Sequence, residues 1–120
     1  MTPDLKATTN AFCLDLTQRA ARGEKDPHHW FQMVAGPWYL KVLLHQAAVG
    51  VRTEYPAAFC FVVRADAPFG WSNYRTGDIL PPKTSRQPWK MDTGAVGNVL
   101  SPDGAMSYWV LRYGSDLGVW

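Results

Sequence analysis

The chain has 120 residues, of which 47% are hydrophobic and 18% are charged, and its formal net charge is +2. This length suits a single domain spanning residues 1–120 and leaves little room for two. The apolar content excludes a typical disordered chain, which has few apolar residues and a high net charge. The net charge is too small to indicate nucleic-acid binding by itself.

The N-terminal sequence and the longest apolar stretch argue against export and against membrane insertion. The first six residues lack the basic start and the continuous apolar core of a secretory signal. Polar residues and Gly36-Pro37 interrupt residues 31–51, whereas a membrane-spanning helix needs about 20 mostly apolar residues. Cys13 and Cys60 lie in apolar segments, which favours two buried thiols over a disulfide scaffold. We therefore expect a cytoplasmic protein without a membrane partner.

The first half of the chain predicts helices. Thr2-Pro3-Asp4 is a helix start with Thr2 as the cap, and apolar residues at helical spacing extend this helix over residues 3–22. Asp26-Pro27 repeats the start signal and predicts a second helix, which Gly36-Pro37 ends or bends. Residues 38–49 predict a third helix or the far half of one bent helix. The residues of these two segments that are expected to face the core are Trp30, Phe31, Val34, Leu40, Leu43, Leu44 and Ala47.

The second half of the chain predicts an antiparallel sheet. Residues 58–64 alternate with a period of two and are apolar on both faces, so this strand should lie inside a sheet that is covered on each side. One face carries Phe59, Phe61 and Val63, and the other carries Cys60 and Val62. Residues 66–94 form an irregular region with a short strand at residues 71–75. Residues 96–100 and 105–113 predict a β-hairpin, joined by a Pro-Asp-Gly turn.

Helices followed by strands predict an α+β fold with two layers. Two or three N-terminal helices would pack on a small antiparallel sheet of three to four strands, which is enough for a stable sheet. Trp120 would either dock on the domain or be offered to a partner. An exposed apolar end of this kind would favour a homodimer.

Residues 71–90 combine aromatic and basic side chains. This stretch carries four cations against one acid, and its prolines stiffen it. Trp, Tyr and Arg are the favoured hot-spot residues of protein interfaces, and the same composition suits stacking against single-stranded nucleic acid or a nucleotide base. The alternative is a loop that folds back on the sheet, with buried rings and solvated cations. The predicted partner-binding residues are Trp71, Tyr74, Arg75, Arg86, Trp89 and Lys90.

The histidines are candidates for a metal or catalytic site. His28 and His29 are adjacent, so on a helix they point about 100° apart, and the i, i+4 spacing of helical metal sites is missing. We therefore expect no metal. As a catalytic base, either histidine would need an orienting acid, and Asp26 is the nearest in sequence. Three aspartates of the irregular region are expected to cap turns, namely Asp66, Asp78 and Asp92.

The chain lacks the common catalytic and cofactor-binding motifs, which favours a binding protein over an enzyme. We expect a small, non-enzymatic, intracellular accessory or inhibitory protein without a cofactor. It would dock on a larger protein or nucleoprotein through the aromatic and basic loop. One alternative is a nucleotide- or single-stranded nucleic-acid-binding module that uses the same surface. The other is a small hydrolase-type enzyme that uses His28 or His29 with an aspartate.

Overall fold

The computed structural model of the protein describes residues 4–22, 28–47, 56–66, 74–89, 95–101 and 106–120. This part of the chain forms two helices and five strands. In chain order they are α1 (Leu5–Arg22), β1 (His28–Ala35), β2 (Tyr39–Ala47), β3 (Ala57–Val63), β4 (Asp78–Leu80), β5 (Gly97–Asn98) and α2 (Tyr108–Asp116). The strands form one antiparallel sheet in the order β1-β2-β3-β4-β5. The α+β class is confirmed, but a single helix precedes the sheet and a second helix follows it.

Helix α1 confirms the first predicted element. The Asp4 carboxylate accepts hydrogen bonds from the backbone N–H groups of Lys6 and Ala7, at 3.0 and 3.4 Å. Such a cap satisfies donors that have no partner inside the helix. Asp4 is therefore the capping residue, and Thr2-Pro3 lies outside the described residues. The buried side chains of α1 are Thr9, Phe12, Cys13, Leu16 and Ala20.

The segments predicted as a second and a third helix are strands β1 and β2. They pair antiparallel, from His28 opposite Ala47 to Ala35 opposite Leu40. The turn between them is closed by the Gly36 N–H, which donates to the Tyr39 carbonyl at 2.9 Å. A spacing of four residues keeps two side chains on one face of a helix and also on one face of a strand. The helix prediction was wrong because this recurrence was read as a helical period.

The strands change which side chains face the core. Phe31, Leu40 and Leu44 are buried in the same cluster as the side chains of α1, as expected. Trp30 and Val34 were also expected to point inward, but each is 41% exposed. Because side chains alternate along a strand, these two residues lie on the sheet face that α1 does not cover, and Leu43 of β2 shares that face.

Strand β3 lies between β2 and β4, as predicted for an interior strand. Its register with β2 shifts between Val42 and Leu43, which leaves Phe59 as the extra residue of a β-bulge. Phe59 consequently belongs to the same buried cluster as Cys60 and Val62. Phe61 and Val63 of β3 belong to a second cluster with Tyr74 and Leu80. Strict alternation had grouped Phe59 with Phe61, and the bulge makes that assignment wrong.

Helix α2 replaces the second strand of the predicted hairpin. The Ser107 side chain caps it by accepting a hydrogen bond from the Val110 N–H at 3.4 Å. Val110 and Gly114 are buried one turn apart, and Trp109 stacks on Tyr113 with 4.7 Å between ring centroids. The strand prediction was wrong because aromatic and branched residues spaced four apart also give a helix one packing face. Of the predicted first strand, Gly97–Asn98 pairs with β4.

The C-terminal residues fold back on the helices. Gly118 has a φ of +74°, and its N–H and that of Val119 donate to the carbonyls of Ser115 and Gly114, which ends α2 in a Schellman motif. The indole N–H of Trp120 donates to the Leu111 carbonyl at 2.9 Å. Trp120 therefore docks on the domain.

The two cysteines are buried and free, as predicted. Burial raises the pKa of the Cys13 thiol to about 12, and it also raises the pKa of Cys60. Both thiols belong to the cluster between α1 and the sheet, so they pack there as small apolar side chains. No helix of the described ranges is both long enough and apolar enough to cross a bilayer.

Candidate functional site

The six predicted partner-binding residues differ in their environments. Arg75, Arg86 and Trp89 are exposed, Tyr74 is buried, and Trp71 and Lys90 lie outside the described residues. Tyr74 is only 4% exposed, since its ring packs with Phe61 and Leu80 against the sheet. The expectation of an exposed ring at Tyr74 is therefore corrected. The short strand of this region is β4, beyond the predicted residues 71–75.

Residues 81–89, which we call the proline loop, follow β4 and form a loop whose two ends are paired with each other. Pro82 and Pro88 pair as an isolated antiparallel bridge, and the Trp89 N–H donates to the Pro81 carbonyl at 2.7 Å. At the tip, the Thr84 hydroxyl accepts hydrogen bonds from the backbone N–H groups of Arg86 and Gln87, at 3.1 and 3.0 Å. Together with the fixed φ of its prolines, these bonds give the loop a defined shape.

A groove of about 400 Å³ separates the proline loop from the β1–β2 turn. We call it the basic groove, and six of its lining residues are Trp38, Tyr39, Lys41, Phe61, Arg86 and Pro88. Three of these side chains are aromatic and two are cationic, and no Asp or Glu is among the described residues that line the groove. The described lining of the groove therefore combines an apolar floor with two positive charges.

The sheet positions the floor of the basic groove. Tyr39 and Lys41 project from the same face of β2 because they are two residues apart, and Lys41 stands opposite Phe61 of β3. The rings of Tyr39 and Phe61 meet edge to face at 5.9 Å, and the Lys41 ammonium lies 5.8 Å from the Phe61 ring centroid. Desolvation, with a smaller contribution from Tyr74, raises the pKa of Tyr39. The phenol is therefore neutral at physiological pH and remains a hydrogen-bond donor.

The rim of the basic groove is held by the β1–β2 turn. Trp38 is 51% exposed there. The Arg64 guanidinium donates to the Gly36 carbonyl, and the Arg64 backbone N–H donates to the Trp38 carbonyl at 3.3 Å. Arg64 thus anchors both ends of the segment that presents Trp38. The sequence prediction missed Trp38, Tyr39 and Lys41, since a helical reading placed them away from any loop.

A second, smaller groove of about 240 Å³ lies on the other side of the proline loop. We call it the aromatic groove, and its lining residues are Pro81, Pro82, Trp89, Trp109 and Tyr113. The proline loop thus sends Arg86 toward Trp38 and Lys41, and Trp89 toward α2. The sequence predicted that Arg86 and Trp89 share one surface, but the structure distributes them between two grooves.

The histidines do not converge on one site in the described ranges. His29 is 8% exposed and shares its side of β1 with buried Phe31. His45 lies on the opposite face, where its ring stacks on Trp30 at 5.0 Å and its Nε2 is 2.8 Å from Oε1 of Gln32. Asp26 and the His28 side chain lie outside the described part of the chain. No three His, Cys, Asp or Glu side chains of the described ranges are grouped to hold a metal ion.

Two aspartates of the irregular region accept backbone hydrogen bonds, and one of them, Asp78, caps a turn as predicted. Asp66 accepts hydrogen bonds from the backbone N–H and the hydroxyl of Thr76, at 2.8 and 3.0 Å, and these bonds lower its pKa. Asp78 accepts a bond from the Arg75 N–H at 2.8 Å. Asp92 lies outside the described residues.

The two grooves offer binding chemistry. An apolar floor beside an ammonium and a guanidinium can hold an apolar group that lies next to an anion. Compared with known proteins, the chain matches no family model, no curated protein and no solved structure.

Proposed function

We propose that the protein acts by binding, and that the basic groove holds an anionic segment of a protein partner. The observation that carries this proposal is that Lys41 from β2 and Arg86 from the proline loop both line the basic groove, whose described lining includes aromatic rings and no Asp or Glu. A volume of about 400 Å³ lies within the range of about 300–1,000 Å³ that is typical of binding pockets.

Both cations suit a carboxylate ligand. The Arg86 guanidinium can donate two parallel hydrogen bonds to a carboxylate, and Lys41 of β2 adds a point charge to the same groove. The rings of Tyr39 and Phe61 give the floor between them an apolar surface. Lower local polarity strengthens the attraction between a bound carboxylate and the two cations. We therefore expect a partner segment in which an acidic residue stands beside an apolar one.

The floor favours a protein over a nucleic acid. Proteins that bind single strands stack successive bases on exposed ring faces. Phe61 is only 2% exposed and meets Tyr39 edge to face, so this pair presents no open stacking platform. Trp38 is the exposed ring of the groove, and a single Trp beside an Arg is typical of a protein hot spot.

The groove is organised before binding. Arg64 holds the turn that carries Trp38, and Thr84 holds the tip that carries Arg86. Because the backbone that carries these side chains is already held in place, less conformational entropy is lost when a partner binds. Such a preformed site suits the accessory or inhibitory role expected from the sequence. The cytoplasmic location and the homodimer stay predictions.

Anisotropy of a fluorescein-labelled peptide of alternating Glu and Leu residues tests this proposal. Arg86→Ala should raise the Kd about tenfold, and Trp38→Ala about thirtyfold, because hot-spot side chains contribute about 1.4–2 kcal/mol or more. The matched controls are Lys83→Ala, which removes a neighbouring exposed cation of the same loop, and Trp30→Ala, which removes an exposed indole of the same sheet. Neither control residue lines the groove, so both should leave the Kd within twofold.

Three results would contradict the proposal. One is equal binding of a Lys–Leu peptide of the same length, which would remove the charge argument. Another is an equal loss of affinity in Lys83→Ala and Arg86→Ala, which would show that the affinity depends on net charge alone. The third is tighter binding of a thymidine decamer with a steep salt dependence, which would favour the nucleic-acid alternative.

A further inference from the structure

We infer that the aromatic groove is a second binding site, and that its ligand is a proline-rich segment in the polyproline II conformation. The site is independent of the basic groove, because different side chains line it. The inference stands on three features of the groove: its shape, its lack of charge and the hydrogen-bonding character of its side chains.

The shape comes from a ridge on α2. Trp109 and Tyr113 are one helical turn apart and stack nearly parallel, with 17° between their planes. The aromatic groove lies on one side of this pair. On the other side a shallow groove of about 280 Å³ is lined by the same two rings together with Tyr108, Arg112 and Asp116. Two neighbouring grooves therefore share one aromatic ridge.

A polyproline II helix fits such a surface. It has three residues per turn and a rise of about 3.1 Å per residue, so its side chains form lengthwise edges with furrows between them. One edge can lie in the uncharged aromatic groove while the ridge occupies the furrow, and the next edge lies along the shallow groove, whose lining also carries Arg112 and Asp116. Proline-rich segments dock on aromatic-lined grooves in this way, and their preformed helix keeps the entropy cost of binding low.

The polar chemistry of the aromatic groove also matches proline. The charged residue types are missing from its described lining, whereas the basic groove has two cations. The lining residues that carry a polar side-chain atom are Trp89 and Trp109, whose indole N–H only donates, and Tyr113 with its phenol. A polyproline segment carries a carbonyl acceptor at every residue and no backbone N–H. Donors in the groove therefore face a ligand that is rich in acceptors.

Trp89 is the open wall of this groove. Its side chain is 56% exposed, while its backbone N–H is bonded to Pro81 and fixes the position of the residue. A large exposed ring held on a rigid base is a favourable anchor, because a bound proline ring can cover it without further ordering of the loop.

Titration with decaproline tests the inference, followed by tryptophan fluorescence and by backbone amide shifts. Wild-type protein should bind saturably, with the largest shifts at Trp89 and along α2. Trp89→Ala should raise the Kd at least about tenfold. Because Trp89 is largely exposed, this variant should keep the wild-type unfolding midpoint. The matched control is Trp38→Ala, which removes a similarly exposed indole from the basic groove and should leave decaproline binding unchanged.

The test also separates this site from the proposed function. Decaproline should not displace the Glu–Leu peptide, and Trp89→Ala should still bind that peptide. Absence of saturable decaproline binding would overturn the inference. So would an unchanged Kd in Trp89→Ala, or equal binding of a Gly–Ser decamer. Quenching by tetramethylammonium in place of decaproline would also overturn it, since it would indicate an aromatic cage for a cation.

Discussion

Gly114 provides a sharp test of how the C-terminus docks. The Trp120 ring lies directly over this residue, with its indole N–H bonded to Leu111. A Cβ on Gly114 would stand 2.1 Å from Cζ2 of Trp120 and 2.5 Å from Cε2. These distances are far below van der Waals contact, so Gly114→Ala has to displace the indole ring.

Two opposing contributions decide how much Gly114→Ala changes the free energy of unfolding. Alanine is favoured over glycine inside a helix by about 1 kcal/mol. Against this, the displaced ring loses its packing against Phe31 and Phe59, whose centroids both lie 6.4 Å away, and its hydrogen bond. Removal of a fully buried Trp side chain costs about 3 kcal/mol or more, and we expect about this loss for the partly buried Trp120 ring because it also gives up its hydrogen bond. We therefore expect Gly114→Ala to lower the free energy of unfolding by about 2 kcal/mol.

Urea unfolding of a double-mutant cycle measures this balance. In a Trp120→Ala background the clash is gone, so Gly114→Ala should raise the free energy of unfolding by about 1 kcal/mol. The sign of the substitution thus depends on Trp120. Gly118→Ala is the control. Its φ of +74° makes alanine unfavourable by about 1 kcal/mol. Because no atom of the described residues lies within 4 Å of its Cβ position, this penalty should be the same with and without Trp120. A Gly114→Ala protein as stable as wild type, with Trp120 present, would refute the docked ring.

Two further predictions concern single hydrogen-bonded side chains. Thr17→Val should destabilise the protein by about 1–2 kcal/mol and speed hydrogen exchange at the Phe31 amide, because the Thr17 hydroxyl accepts the bond from this β1 N–H at 2.9 Å; unchanged exchange would contradict this role. Asp66 should titrate below its ordinary pKa of 3.8, so its contribution to stability is present above that pH and is lost as the pH falls through the lowered pKa. Thr76→Val should move this pKa part of the way back in a carboxyl NMR titration, since the backbone bond remains, and a pKa that does not move would rule out the hydroxyl as a cause.

The candidate site could be predicted only in part. Composition located the proline loop and two of its exposed side chains, Arg86 and Trp89, because clustered prolines, cations and indoles are visible in any window of sequence. It could not reveal that Arg86 and Lys41, which lie 45 positions apart in the sequence, line the same groove. It also could not show that Tyr74 turns inward, since burial depends on which sheet face the residue reaches.

Elements with a local signal were determined by the sequence itself. Helix α1 has an acid at its cap and a buried stripe of 3.6-residue period, and β3 has a run of apolar residues that only a covered interior strand accommodates. These patterns exclude the competing structure without reference to distant residues. The burial of the Cys13 and Cys60 thiols follows from the same two patterns, because each cysteine lies in an apolar segment.

Tertiary structure decided the rest, because the local signals there fit two structures. In β1 and β2, residues four apart share a face in either a strand or a helix, and pairing along the hairpin selected the strand. In α2, residues suited to a strand became helical once Ser107 capped them and Val110 reached the core. The bulge at Phe59 and the two grooves exist only after the sheet has formed, since each depends on side chains that the sheet brings together from distant segments.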